Sequence, residues 1–179
     1  MPKNAIVRNL LGEALHLSGD PEGALAIFRE ATEVDNQVAA VWTNLGNALL
    51  LRKELGPAAE AHRRAAEIEP TNALHFAALG SVLRRQGRTE AALTEFRRAV
   101  KMLPGDARIY TELGLAYQEA GRADEAQGAF RQAVWLDPEN PTNHVNYGLT
   151  YLMQGNLDEA LAAFERARHV ARRLAPTHL

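Results

Sequence analysis

The side chains that most often move protons or bind metals are scattered along this chain. Its six histidines are His16, His62, His75, His144, His169 and His178. No two of them have the helical spacing of a metal site, and neither serine lies in a G-x-S-x-G context. The chain has no cysteine, which excludes thiol nucleophiles, thiolate metal sites and disulfides. We therefore expect no enzymatic activity, no metal and no cofactor.

Charge and hydropathy narrow the remaining classes of function. The chain has 179 residues and a formal net charge of -2, so no overall field favours nucleic acid or an anionic membrane. No apolar run is long enough to cross a bilayer, and the N-terminus lacks the apolar stretch of a signal peptide. We expect a cytoplasmic protein that binds no nucleic acid and does not insert into membranes.

One pattern of residue types recurs every 34 residues. In its second copy the pattern consists of Trp42, Leu45, Gly46, Leu49, Ala58, Ala65 and Pro70. In its third copy it consists of Phe76, Leu79, Gly80, Leu83, Ala92, Phe96, Ala99 and Pro104. The copies cover residues 5–38, 39–72, 73–106, 107–140 and 141–174, with short tails at 1–4 and 175–179. They fit the chain so closely that it is also expected to be a fragment of a longer protein.

This period, and the order of aromatic, Leu-Gly, Ala and Pro residues, closely resemble the tetratricopeptide repeat (TPR) family. The resemblance implies that each repeat folds as two helices and that neighbouring repeats stack. We expect an all-α, right-handed TPR α-solenoid of five helix-turn-helix repeats, about ten helices, forming one array over residues 1–179.

Several residues predict where these helices end and how they pack. Gly19, Gly87, Gly121 and Gly155 are placed to end first helices in the left-handed conformation. Asn72, Asp106 and Asn140 are placed to cap the following ones. His62 stands where other repeats have phenylalanine, so we expect it to be buried and neutral.

The face of each first helix opposite its partner helix is predicted to be free. In TPR proteins this face lines a concave groove that holds a peptide, so the resemblance implies a peptide site here. The predicted site residues are Asn44, Asn47, Ser81, Arg84, Arg85, Arg108, Asn146, Leu149, Leu152 and Met153. The fifth position of each first helix, which includes Asn9, is also predicted to be exposed.

Three groups of residues within this predicted site have different chemistry. The arginines can fork onto carboxylates, although pairing with Glu112 and Glu119 is an equally good interpretation. The asparagines can donate to and accept from the backbone of an extended peptide. Leu149, Leu152 and Met153 would form an apolar patch, either for a partner or for a further helix.

Trp135 is the one candidate outside the groove. Its position holds charged or polar residues in the other repeats, so we expect it to be at least partly exposed. It either packs on the fifth repeat or anchors a partner on the convex side.

These features predict a non-catalytic adaptor or scaffold that binds a protein or peptide. The arginines favour an acidic partner, and the apolar patch favours a partner with an apolar end. Two alternatives stay open. The chain can be the substrate-recognition region of a larger enzyme such as a transferase. It can also be a scaffold that self-assembles, as a homo-oligomer through a terminal repeat without a polar capping helix.

Overall fold

A computed structural model describes residues 4–174, and these residues form ten α-helices and no strand. The first helices of the repeats are α1 (Ala5–Leu17), α3 (Ala39–Leu51), α5 (Ala73–Arg85), α7 (Ala107–Glu119) and α9 (Pro141–Met153). The second helices are α2 (Pro21–Val34), α4 (Leu55–Ile68), α6 (Thr89–Met102), α8 (Ala123–Leu136) and α10 (Leu157–Leu174). The predicted all-α solenoid of helix-turn-helix repeats is confirmed. The predicted tails, apart from Asn4, and His178 lie outside the described residues.

The chain divides into two compact units, Met1–Met102 and Leu103–Leu179. In the first unit α1 packs on α2, α3 on α4 and α5 on α6, while α2 meets α3 and α4 meets α5. In the second unit α7 packs on α8, α9 packs on α10, and α8 meets α9. Within each unit, helices too short to be stable alone are therefore stabilised by their neighbours. The single array over the whole chain stays a prediction.

The two helices of a repeat approach closely because glycine faces an aromatic ring. A Cβ atom on Gly80 would lie 2.9 Å from Cε1 of Phe96, and one on Gly114 would lie 2.6 Å from Cε1 of Phe130. Both phenylalanine side chains are fully buried. Any larger residue at these glycines would have to displace the ring that fills the centre of the repeat.

The predicted helix ends are confirmed. The φ angles of Gly19, Gly87, Gly121 and Gly155 are 87°, 73°, 71° and 79°. The side chains of Asn72, Asp106 and Asn140 accept hydrogen bonds from backbone N–H groups in the first turns of α5, α7 and α9. The second repeat differs, because Lys53 occupies the position of these glycines with a φ of 63°.

His62 occupies the centre of the second repeat, as predicted. Its side chain is fully buried, and neither ring nitrogen has a hydrogen-bond partner among the described residues. A Cβ atom on Gly46 would lie 2.7 Å from Nε2 of His62, so the imidazole takes the place that Phe96 takes in the third repeat. Burial, helped by repulsion from His75, lowers the pKa of His62 to about 4. The ring is therefore neutral at pH 7.

Candidate functional site

The first helices of the first unit use several polar side chains to join neighbouring repeats. Asn44 of α3 donates from Nδ2 to Oδ1 of Asn9 at 3.0 Å and to Oε1 of Glu13 at 2.6 Å. Asn9 also donates to Glu13, at 2.9 Å. The prediction that Asn9 is exposed is wrong, because α3 covers the fifth position of α1 and buries its side chain. Asn44 is held by the same contacts.

A second polar contact joins α3 to α5. The Thr43 hydroxyl lies 3.3 Å from Nδ1 of His75, and Nε2 of His75 donates to a carboxylate oxygen of Glu69 at 2.9 Å. Asn72 donates to the same carboxylate oxygen at 3.1 Å. The hydrogen bonds from His75 and Asn72 lower the pKa of Glu69. These side chains position the third repeat on the second.

Beside the first of these contacts lies a pocket of about 230 Å³ between α1, α2 and α3. Its apolar wall comes from Leu17, Leu51 and Phe28, and Glu13 and Asn47 lie at its polar side. The prediction from sequence did not include the two leucines. The sequence could have indicated this apolar wall, because both leucines stand at the same repeat position near the end of consecutive first helices.

The first unit also contains Ser81, Arg84 and Arg85, which lie in the last two turns of α5. Arg85 is exposed, whereas Ser81 and Arg84 are partly buried. Asn47 of the neighbouring helix α3 is exposed as well. Exposed amide and guanidinium groups on adjacent first helices are therefore available to a ligand in this unit.

Arg108 lies at the start of α7, in the second unit. Its Nη2 donates to Oδ2 of Asp106 at 2.6 Å and its Nε donates to Oδ1 at 3.1 Å. These bonds, with the backbone N–H of Arg108, lower the pKa of the Asp106 carboxyl. The side chain of Arg108 remains 80% exposed, but its fork is occupied by the carboxylate that caps its own helix.

The apolar side chains predicted for the fifth repeat lie together on α9. Leu149, Leu152 and Met153 are all exposed, and so is Val145 one turn earlier. Asn146, on the same helix, is partly buried. The predicted apolar patch therefore lies on one exposed face of α9.

Trp135 is 73% exposed near the end of α8. The prediction of at least partial exposure is confirmed. Its neighbours on the surface include Arg131 and Gln132. The sequence left two interpretations open for Trp135, packing on the fifth repeat or binding a partner. The described residues of the fifth repeat do not bury its side chain.

Two negative findings apply to residues 4–174. This part of the chain has no group of three or more acidic, histidine or cysteine side chains arranged to hold a metal ion. None of its helices combines the length and apolar character needed to cross a bilayer.

Solved structures with this fold include several TPR proteins. MamA from Desulfovibrio magneticus RS-1 has a TM-score of 0.87 and 23% identity, over 96% of this chain and 97% of that one. YrrB, described as a TPR protein with an unusual peptide-binding site, has a TM-score of 0.77 and 25% identity, over 96% and 89%. PilF from Pseudomonas aeruginosa has a TM-score of 0.82 and 21% identity, over 93% and 76%.

A search of curated protein sequences found no match. The profile of one family, in contrast, matches residues 1–177. Because the match covers nearly the whole chain and the fold agrees with it, this protein belongs to the tetratricopeptide-repeat family described as the Cilia and flagella-associated protein 70 C-terminal domain.

Proposed function

We propose that this chain is a non-catalytic adaptor or scaffold that binds a protein or peptide on the exposed face of its first helices. The observation that carries the proposal is that the residues that pack the repeats together differ from the polar residues exposed on the first helices. Repeat packing uses the glycine, alanine and aromatic positions, whereas Asn47 and Arg85 lie exposed on the adjacent helices α3 and α5. The likeness to YrrB supports the same use of the fold.

The chemistry of this face favours an acidic ligand in the first unit. Arg84 and Arg85 follow each other at the end of α5, and Asn47 adds an amide on α3. A carboxylate held by guanidinium groups contributes about 1.5–3 kcal/mol per shielded hydrogen bond, and less when the contact is exposed. The exposed side chains of Arg85 and Asn47 are the donors that reach the ligand, and the partly buried Arg84 adds its positive charge beside them. Asn44 and Arg108 are left out of this site because their donors bind Glu13 and Asp106.

The test begins with peptides selected from a displayed random library on the purified protein. Their affinity is then measured by calorimetry at low and high salt. Arg84→Glu with Arg85→Glu should weaken binding at least tenfold and reduce its salt dependence, while helical content by circular dichroism stays unchanged.

The matched control is Arg63→Glu with Arg64→Glu. These two arginines are also consecutive, lie on the second helix α4, and pair with Glu60 and Glu67. The control makes the same change in net charge on a different face, so it should leave affinity within about twofold. Binding by the Arg84/Arg85 variant at wild-type strength would contradict the proposed site and direct attention to Trp135.

A further inference from the structure

In the first unit, the second helix of a repeat is covered by the first helix of the next repeat. Leu25 of α2 is 3% exposed because α3 packs over it, and Ala59 at the same position of α4 is buried where α5 packs. The corresponding residue of α10, Leu161, is 59% exposed. The fifth repeat therefore keeps an apolar residue at a position that repeats of the first unit bury under the next first helix.

The first helix of the first repeat also exposes apolar residues that the first helix of the second repeat buries. Val41 of α3 packs with Ala5 and Ala31 of the preceding repeat, and Leu45 of the same helix is buried as well. The residues at the same positions of α1 are Val7 and Leu11, and both are exposed. The first repeat thus keeps the apolar residues that a first helix uses to pack on a repeat before it.

One boundary in each unit shows polar residues paired with polar residues where neighbouring first helices touch. Asn44 binds Asn9 and Glu13 where α3 touches α1. In the second unit, the Thr111 hydroxyl donates to Oδ1 of Asn143 at 3.0 Å, where α7 touches α9. Each of these pairs would leave a buried polar group unsatisfied if its partner were apolar.

The same positions are apolar on both exposed faces. The position of Asn44 is Leu10 in α1, and the positions of Asn9 and Glu13 are Val145 and Leu149 in α9. The position of Asn143 is Val7 in α1, which would again meet Val145. All four apolar side chains are exposed. Apolar residues of one face would therefore meet apolar residues of the other, just as polar residues meet polar residues at the α1–α3 and α7–α9 boundaries.

We propose that the fifth-repeat face (Val145, Leu149 and Leu161) binds the first-repeat face (Val7, Leu10 and Leu11) of a second copy of this chain. In this contact α1 of the second copy packs on α9 and α10 as the next first helix of the stack. The contact joins two different surfaces, so each added copy leaves one of each free. Association is then head-to-tail and extends beyond a dimer as concentration rises.

The test measures molar mass by sedimentation velocity and light scattering over a range of concentrations. The wild-type protein should pass from monomer through dimer to larger species. Leu10→Glu and Leu149→Glu should each weaken association at least tenfold, because a carboxylate would enter an apolar contact. Leu74→Glu is the control, since Leu74 is an exposed leucine on α5 that belongs to neither face. Circular dichroism verifies that all variants remain helical.

Mixing the two blocked variants distinguishes head-to-tail association from a symmetric dimer. The Leu10→Glu protein keeps an intact fifth-repeat face, and the Leu149→Glu protein keeps an intact first-repeat face. Their mixture should form a one-to-one complex that grows no further. A wild-type protein that stays monomeric at all concentrations, association that survives Leu10→Glu, or a mixture without a complex would each overturn the proposal.

Discussion

The second and third repeats have helices of the same lengths but different central residues. In the third repeat, Phe96 packs on Gly80, and in the second, His62 packs on Gly46. Both side chains are fully buried. The histidine brings two ring nitrogens that find no hydrogen-bond partner among residues 4–174. The second repeat therefore has a polar residue at a fully buried position, which lowers its stability.

The second repeat has further unfavourable local features. Lys53 has a φ of 63° where the third repeat has Gly87. The helix α3 begins without a side-chain cap at Val38, whereas Asn72 caps α5. Because repeats contact only their neighbours, such features lower stability locally. We expect the second repeat to be less stable than the third, and the following changes test this difference.

The largest expected effect comes from breaking the third repeat. Gly80→Leu forces a side chain against the Phe96 ring, which lies 2.9 Å from the position of the new Cβ. Overpacking of this kind should lower the free energy of unfolding by roughly 3 kcal/mol, and the loss should spread to neighbouring repeats. Urea denaturation measures it.

Gly56→Leu is the matched control for this change. Gly56 lies in the first turn of α4, and no atom comes within 4 Å of a Cβ built there. The unfolding midpoint of the Gly56→Leu variant should stay close to that of the wild type. Equal midpoints for Gly80→Leu and the wild type would show that the two helices of the third repeat do not meet at Gly80.

Exchanging the central residues should reverse the difference between the two repeats. His62→Phe removes a buried polar group without partners and should raise the free energy of unfolding by about 2 kcal/mol. Phe96→His should lower it by a similar amount. Denaturation at pH 7 measures both changes, and a clear fall in the melting temperature of His62→Phe would show that the imidazole is favourable where it lies.

The pH dependence of stability should also identify His62. Its pKa is lowered in the folded state to about 4, from an ordinary value of 6.5. Above pH 6.5 both states are neutral and this group contributes no pH dependence. Below it the unfolded state binds a proton first, so stability falls by about 2 kcal/mol by pH 5 and levels off below pH 4.

His62→Phe is the control for the pH experiment, because the other titratable groups of the chain are the same in both proteins and their contributions cancel in the difference. The difference in unfolding free energy between wild type and variant should therefore grow from pH 7 to pH 5. A difference that stays constant over this range would contradict a neutral, buried His62.

The smallest expected effect concerns the ends of the first helices. Lys53→Gly should raise the free energy of unfolding by about 1 kcal/mol, because glycine adopts the left-handed conformation without steric cost. Gly87→Lys places the same strain in the third repeat and should lower stability by a similar amount. Thermal unfolding of the two variants measures both. A gain in stability for Lys53→Gly and a loss for Gly87→Lys would support strain at Lys53. A loss of stability in Lys53→Gly would contradict it.

The sequence predicted the helices and their ends because these depend on nearby residues. The caps at Asn72 and Asn140 act on N–H groups two residues away, and the position of His62 follows from the repeat. The positive φ of Lys53 was predictable in the same way, because Lys53 aligns with Gly19 and Gly87, but it was missed.

The polar partners were not predictable from the repeat alone. Asn44 pairs with Asn9, 35 residues away, and this depends on which side chains two neighbouring helices bring together. The pairing of Arg108 with Asp106 depends on a side-chain conformation that places the guanidinium over its own helix cap. The binding role of the remaining site residues stays a prediction until a ligand is found.

Hydrogen exchange of backbone amides under native conditions tests the difference between the repeats most directly. Amides of α3 and α4 should exchange through openings of lower free energy than amides of α5 and α6. The substitution His62→Phe should remove most of this difference. Equal protection of the four helices in the wild type, or a difference that persists unchanged in His62→Phe, would contradict a second repeat destabilised by its buried histidine.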